Sequence, residues 1–258
     1  IIDNRQEITN LTKEQIIKIC DRNFIGCDQL IFIETDKSAD AYLKFYNSDG
    51  GQSGACGNGT RCVADLISKD LNIKSVVLKT LSGNLKSEIL ENNIVTTEIG
   101  KAKTEWNEIP LSEKLNTKNL NIKINDKNNK EYSGGTAVNV GNPHIIFFVN
   151  KIDNFDIKKI GPDIENYKIF PEKCNVTIAQ IINNNLIKVK VWERGAGLTK
   201  ACGTAACATA FASKLNNLTG DKTDIEFENG KLTISIDEKN SIHMKGPVSD
   251  IKKIEIKL

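Results

Sequence analysis

The sequence predicts an α/β (α+β) protein built as two similar halves, each a set of strands wrapped around one central helix. Three observations carry that reading. The stretch Ala55-Cys56-Gly57-Asn58-Gly59-Thr60-Arg61-Cys62 returns, altered, as Ala201-Cys202-Gly203-Thr204-Ala205-Ala206-Cys207. Each copy opens into an apolar, helix-forming run, through Val63 and Ile67 in one and Ala208 and Phe211 in the other. Short strand-like runs separated by Gly, Asn and Asp turns surround both.

Taken in order, Ile1 to Arg5 reads as the end of a strand. Thr12-Lys13-Glu14-Gln15 is a capping-box pattern, and Ile16, Ile19 and Cys20 mark one face of the helix that follows. Leu30–Ile33 and Ala41–Tyr46 read as strands, and Asn47 to Gly51 as a turn into the first cysteine motif. Beyond that helix, Ser75–Lys79, Leu85–Ile89 and Ile94–Ile99 are short strands. The polar stretch 101–130 reads as irregular and holds the crossing between domains. Ala137–Val140 and Ile145–Val149 are strands flanking a Gly141-Asn142-Pro143-His144 turn. Asn175–Ile182 and Ile187–Trp192 follow, and Glu193-Arg194-Gly195-Ala196-Gly197 leads to the second cysteine helix. Asp224–Phe227 and Lys231–Ile236 flank Asn229-Gly230, a hairpin signal.

Composition narrows the class. Hydrophobic content of 39% and charged content of 26% are those of an ordinary globular protein, and a net charge of +2 favours neither nucleic acid nor an anionic membrane. No apolar run approaches a membrane span. Seven cysteines, without a small-scaffold disulfide pattern, point to a reducing cytoplasm. The spacings within the cysteine motifs are not those of zinc ribbons, so no metal site is expected.

Cysteine at a helix start meets free backbone N–H groups and the positive end of the macrodipole, which lowers a thiol's pKa. The adjacent Gly57 and Gly203 let a ligand approach the backbone, and a carboxylate suits such an end. The two copies therefore predict two reactive thiols and two anion cradles about a pseudo-two-fold axis. Removing an α-proton from one face of a carbon and returning one to the other needs two such groups.

Together, Asn47 with Asp49-Gly50, Cys56-Gly57-Asn58-Gly59, Gly141-Asn142-Pro143-His144, Glu193 to Gly197 and Ala201-Cys202-Gly203-Thr204 resemble the diaminopimelate epimerase family along nearly the whole chain. The resemblance implies two pseudo-symmetric domains, each a mostly antiparallel sheet or barrel around a central helix, with the active site in the cleft. Residues 1–101 would form the first, joined by a returning strand at 248–258, and 102–247 the second. It implies a cofactor-independent isomerase that inverts the α-carbon of LL-2,6-diaminopimelate to the meso form, for lysine and peptidoglycan precursors. Cys56 and Cys202 would be the acid/base pair, with His144 and Glu193 adjusting their pKa values. Gly57, Asn58, Gly203 and Thr204 would hold the reacting carboxylate. Asn47, Asn142, Asn175 and Arg194, with Gln29 as a further contact, would bind the distal end, Arg by a bidentate carboxylate pair. The family's partner is a small molecule, and its members form homodimers. This sequence departs from the pattern at Gly51-Gln52, where Ser-Glu is usual, and at Lys252, where many members carry an interface Tyr. The family's Gly-Leu-Gly-Asn-Asp-Phe segment, with a substrate-contacting Asn, would lie upstream of Ile1. Cys20, Cys27, Cys62, Cys174 and Cys207 read as small apolar packing residues.

Rival readings are a proline or hydroxyproline racemase, an inactive truncated thiol protein, and a serine hydrolase. The last rests on Gly51-Gln52-Ser53-Gly54-Ala55, but no strand is read leading into Ser53 and no Asp–His partnership is evident.

Overall fold

A computed structural model describes residues 1–54 and 56–256 of the chain. It forms two compact units, Ile1–Glu98 with the chain from Lys245 onward, and Ile99–Met244. In the first unit β1 (Ile2–Asp3) is followed by α1 (Lys13–Cys20), β2 (Gln29–Glu34), β3 (Ala41–Asn47) and β4 (Gln52–Ser53). Then come α2 (Gly57–Leu71), β5 (Ser75–Thr80), β6 (Gly83–Leu90) and β7 (Ile94–Lys101). The sheet order is β1-β2-β3-β5-β6-β7, with β4 on β3. Its pairs are antiparallel except β1 with β2 and β3 with β5.

Alternation along β3 and β5 turns Ala41, Leu43, Phe45, Val76 and Leu78 inward, where α2 lays Val63, Ala64 and Ile67 against them. The Thr12 hydroxyl accepts from the Gln15 amide while the Gln15 side chain accepts from the Thr12 N–H, completing the expected capping box of α1. Ile16, Ile19 and Cys20 are its buried face.

The second unit contains β8 (Ile122–Asn125), β9 (Glu131–Gly134), β10 (Thr136–Asn139), β11 (Pro143–Phe148), α3 (Ile157–Glu165), β12 (Asn175–Asn183), β13 (Leu186–Glu193) and β14 (Gly197–Thr199). It continues through α4 (Gly203–Leu215), β15 (Lys222–Phe227) and β16 (Gly230–Ile236) to β17 (Ser241–Pro247), whose last three residues belong to the first unit. The order β17-β16-β15-β13-β12-β11-β10 gives a sheet covered on both faces. On one face α4 packs Ala205, Ala206, Ala208 and Ala212 against Val138, Ile146, Ile187, Val189 and Ile234. On the other, Ile157, Ile160 and Ile164 of α3 meet Ile145, Phe147, Val176 and Ile178. The apolar run Ile145–Phe148 of β11, which follows the buried His144, reflects burial on both sides.

Several expectations are corrected. The stretch 101–130 is not structureless: Ile109, Leu111, Ile122 and Ile124 are buried, and β8 pairs with β9. Pro143 and His144 belong to β11 rather than to the preceding turn. The chain does return to the first unit from Lys245 onward, but no strand is found at 248–258 among the described residues, and β17 ends at Pro247. Beyond it, one backbone hydrogen bond from Val248 N–H to the Asn93 carbonyl holds the chain, and Ile251 and Ile254 are exposed. Ala55, Lys257 and Leu258 lie outside the described residues. Ser53 does sit in a strand, the two-residue β4, but Cys56 and not Ser53 caps the helix that follows.

Candidate active site

In the first unit the site residues gather at the start of α2 and the adjoining ends of β2 and β3. Cys56 is the N-cap of α2 (φ −143°, ψ 108°), and its half-buried sulfur accepts from the Gly59 N–H at 3.3 Å. A Cβ at position 59 would strike the end of the Ile31 side chain and stand 3.3 Å from the sulfur, so glycine leaves the cap uncrowded. The Gly57 and Asn58 amides precede the first intrahelical bond, Thr60 N–H to the Cys56 carbonyl at 2.8 Å. Asn58 itself is held by the buried Arg61, whose Nη2 donates to Oδ1 at 3.0 Å. Gln29 and Asn47 face each other across β2 and β3, with Gln29 Nε2 donating to Asn47 Oδ1 at 2.8 Å.

The second unit holds the remaining residues. Cys202 caps α4 with nearly the same backbone (φ −144°, ψ 115°). Its sulfur is surrounded differently: the side chain is buried, donates to Glu193 Oε2 at 3.1 Å and lies 3.4 Å from Thr204 Oγ1. Burial pushes its pKa well above the ordinary thiol value, and the Glu193 carboxylate pushes the same way. The Thr204 hydroxyl and the Ala205 amide oppose them without overcoming them. The expectation that a helix start makes this cysteine a ready thiolate is therefore reversed. Cys202 is a protonated thiol.

β11 and β12 run parallel with His144 beside Asn175, and both are buried. Asn142 Oδ1 lies 2.8 Å from His144 Nε2. An amide oxygen only accepts, so Nε2 carries the ring proton and Nδ1 is a bare acceptor. That atom has no partner among the described residues. Burial lowers the imidazole pKa to about 3, reinforced by the Arg194 charge, so the ring is neutral. Asn175 donates to the Pro143 carbonyl at 3.0 Å and accepts the Arg194 N–H at 3.0 Å. Arg194 Nη1 donates to the Glu172 carbonyl at 2.9 Å, on an exposed side chain.

The structure thus brings together Gln29 with Asn47, Asn142 with His144, Asn175 with Arg194, and Glu193 and Thr204 with Cys202. His144 bonds Asn142 rather than Cys202. Glu165, at the end of α3, escaped the sequence reading. It is buried; one oxygen accepts from the Trp192 indole at 2.7 Å and the other from the Gly195 N–H at 2.9 Å, bracketing Glu193 and Arg194. The spacing of Ile157, Ile160 and Ile164 was the available signal for α3. Surface grooves of about 490 Å³ around Lys123, Asp126 and Asp163, and about 200 Å³ around Lys13, Glu34 and Lys44, lie elsewhere and involve none of these residues. Among the described residues no cluster of three or more His, Cys, Asp or Glu side chains could hold a metal ion, and no helix is long and apolar enough to cross a membrane.

Fold and site together define a two-thiol protein on an epimerase-type scaffold. The solved structure of a predicted epimerase from Pseudomonas aeruginosa has the same fold, with a TM-score of 0.68 over 99% of this chain and 91% of that one at 13% identity. The model of the diaminopimelate epimerase family matches residues 1–105 and 136–251. β8 and β9 both lie in the unmatched interval. The diaminopimelate epimerase of Pelagibacter ubique is 68% identical over the whole chain and 94% of its own length. That of Acidiphilium cryptum is 37% identical over 96% of this chain and 88% of its own. This chain belongs to the diaminopimelate epimerase family.

Proposed function

We propose that the protein interconverts LL- and meso-2,6-diaminopimelate by inverting one α-carbon with two thiols, in the supply of lysine and peptidoglycan precursors. The observation that carries the mechanism is the protonated Cys202 thiol held on Glu193 in one motif, set against the half-buried Cys56 sulfur receiving an amide N–H in the other. In one direction the Cys56 thiolate takes the α-proton and Cys202 delivers its own to the opposite face. Cys56 ends as a thiol and Cys202 as a thiolate, and the reverse reaction restores both. The reaction requires the two sulfurs to address opposite faces of one carbon.

Charge develops on the α-carboxylate as the proton leaves. The free amides of Gly57, Asn58, Gly203 and Thr204 suit that charge, since fixed N–H dipoles need no reorganisation during reaction. Glu193 keeps Cys202 protonated until substrate takes the proton. His144 supplies a neutral acceptor through Nδ1. Gln29, Asn47, Asn142, Asn175 and Arg194 would receive the distal ammonium and carboxylate, which distinguishes this substrate from proline. A near-neutral surface, 35 basic against 33 acidic side chains, favours a small-molecule partner over nucleic acid or membrane. The cytoplasm fits seven free cysteines. The homodimer implied by the family would appear in light scattering as twice the 28.5 kDa chain mass.

The test is incubation of LL-diaminopimelate with the protein in deuterated water, without added cofactor. Deuterium should enter the α-position as the meso form accumulates. Deuteration of proline with diaminopimelate untouched would move the assignment to a proline or hydroxyproline racemase.

A further inference from the structure

A second sulfur pair lies in the first unit, apart from Cys56. Cys20 is the last residue of α1 and Cys27 lies just before β2, with their Sγ atoms 3.5 Å apart. The intervening loop is closed on the helix by two backbone bonds, Gly26 N–H to the Ile19 carbonyl at 3.1 Å and Cys27 N–H to the Cys20 carbonyl at 3.3 Å. Gly26 makes the return at φ +77°, and a Cβ there would stand 3.0 Å from Arg22 Cα. The two cysteines are therefore held together by the backbone itself. We propose that Cys20 and Cys27 form a disulfide under peroxide, a modification site separate from the catalytic thiols and independent of the epimerase assignment.

The two sulfurs are suited to different steps. Cys20 is buried among Ile16, Ile19, Leu30 and Phe32, while Cys27 is half-buried at the edge of that cluster. Burial and the adjacent Cys27 push the Cys20 thiol up to about 12, so it waits as a thiol. Peroxide reaches Cys27 first, transfers one oxygen to give a sulfenic acid and leaves as water. The Cys20 sulfur then attacks the Cys27 sulfur, the S–O bond breaks, and the hydroxyl leaves with the Cys20 proton as a second water. The net change is two thiols and one peroxide to one disulfide and two waters. A bond of about 2.05 Å asks for an approach of roughly 1.5 Å, within the reach of side-chain rotation. The new ring staples the end of α1 to the start of β2, two residues before Gln29 and its bond to Asn47.

The experiment treats the whole chain with graded hydrogen peroxide, caps remaining thiols with N-ethylmaleimide and maps tryptic peptides by mass. A Cys20–Cys27 linked species, released by dithiothreitol and absent from Cys27→Ser, is the expected result. The oxidised protein should also melt about 5 °C higher, since the staple restricts the unfolded chain. Recovery of both cysteines capped at doses that oxidise the others would overturn the proposal. So would Cys27 as a sulfinic acid beside a free Cys20, or Cys27 linked to a different cysteine.

Discussion

The starts of α2 and α4 are the same backbone with different sulfur chemistry. Cys56 and Cys202 share cap dihedrals within 7° of each other. Around that common frame, α2 is amphipathic and leaves its cysteine half-buried with an amide donating to sulfur. α4 is buried nearly all round, and its cysteine is enclosed against a carboxylate. The lesson is that a repeated motif sets where a thiol stands, whereas its protonation state is set by what the rest of each unit packs over it. A reaction that takes a proton on one face and gives one on the other uses that asymmetry.

The most severe way to break the comparison is to delete either sulfur. Cys56→Ala and Cys202→Ala should each abolish net epimerisation, a loss at or beyond the roughly 10²–10⁴-fold typical of one acid–base group. Chiral chromatography of the product checks this, and near-normal turnover by either variant would dissolve the pairing. Glu193→Gln keeps the shape of the second site and removes its charge. Activity should fall by about 10²-fold. Because the carboxylate raises the Cys202 pKa, its loss must lower it, and the alkaline limb of the pH–rate profile should move to lower pH.

A smaller effect is expected from the buried bracket behind that loop. Glu165→Ala leaves the Trp192 indole N–H and the Gly195 N–H without an acceptor, freeing the segment that carries Glu193 and Arg194. A loss of about 10-fold in kcat/KM is expected from such displacement, with Glu165→Gln, which retains one acceptor, recovering part of it. A purely structural Glu165 would change melting temperature and leave the pH–rate profile in place; a positioning one shifts both.

How much of this the sequence displays depends on range. The capping box of α1 and the two cysteine motifs are local patterns, and they appear in the structure where the residues stand. α3 was obscured by Gly161 and Pro162, residues that ordinarily punctuate a helix. Its Gly161 is there because any side chain would collide with the Trp192 ring, a contact between residues far apart in sequence. The burial that keeps Cys202 protonated likewise comes from strands contributed by the whole unit, which no local spacing records. β8 and β9 are four-residue strands in an Asn- and Lys-rich stretch, too short for alternation to stand out.

A predicted effect on stability rather than rate concerns His144, the one buried imidazole. Its folded pKa of about 3 lies below the unfolded value, so between the two the unfolded chain binds more protons. Stability from this group is therefore complete above about pH 6.5 and declines, by at most about 1.4 kcal/mol per pH unit, as pH falls toward 3. Urea melts from pH 7 to 4 should be less pH-dependent in His144→Asn than in the unaltered chain. An unchanged slope would mean that the ring is protonated in the fold.

The contrast between the two sulfurs is most directly measured by alkylation with iodoacetamide as a function of pH, each cysteine followed separately by peptide mass. Cys202 should continue to gain reactivity through pH 9, with its midpoint moving down in Glu193→Gln, while the Cys56 curve should differ from it and be indifferent to that substitution. Parallel pH curves for the two cysteines, or a Cys202 curve indifferent to Glu193→Gln, would contradict the assignment of one thiol as base and the other as acid.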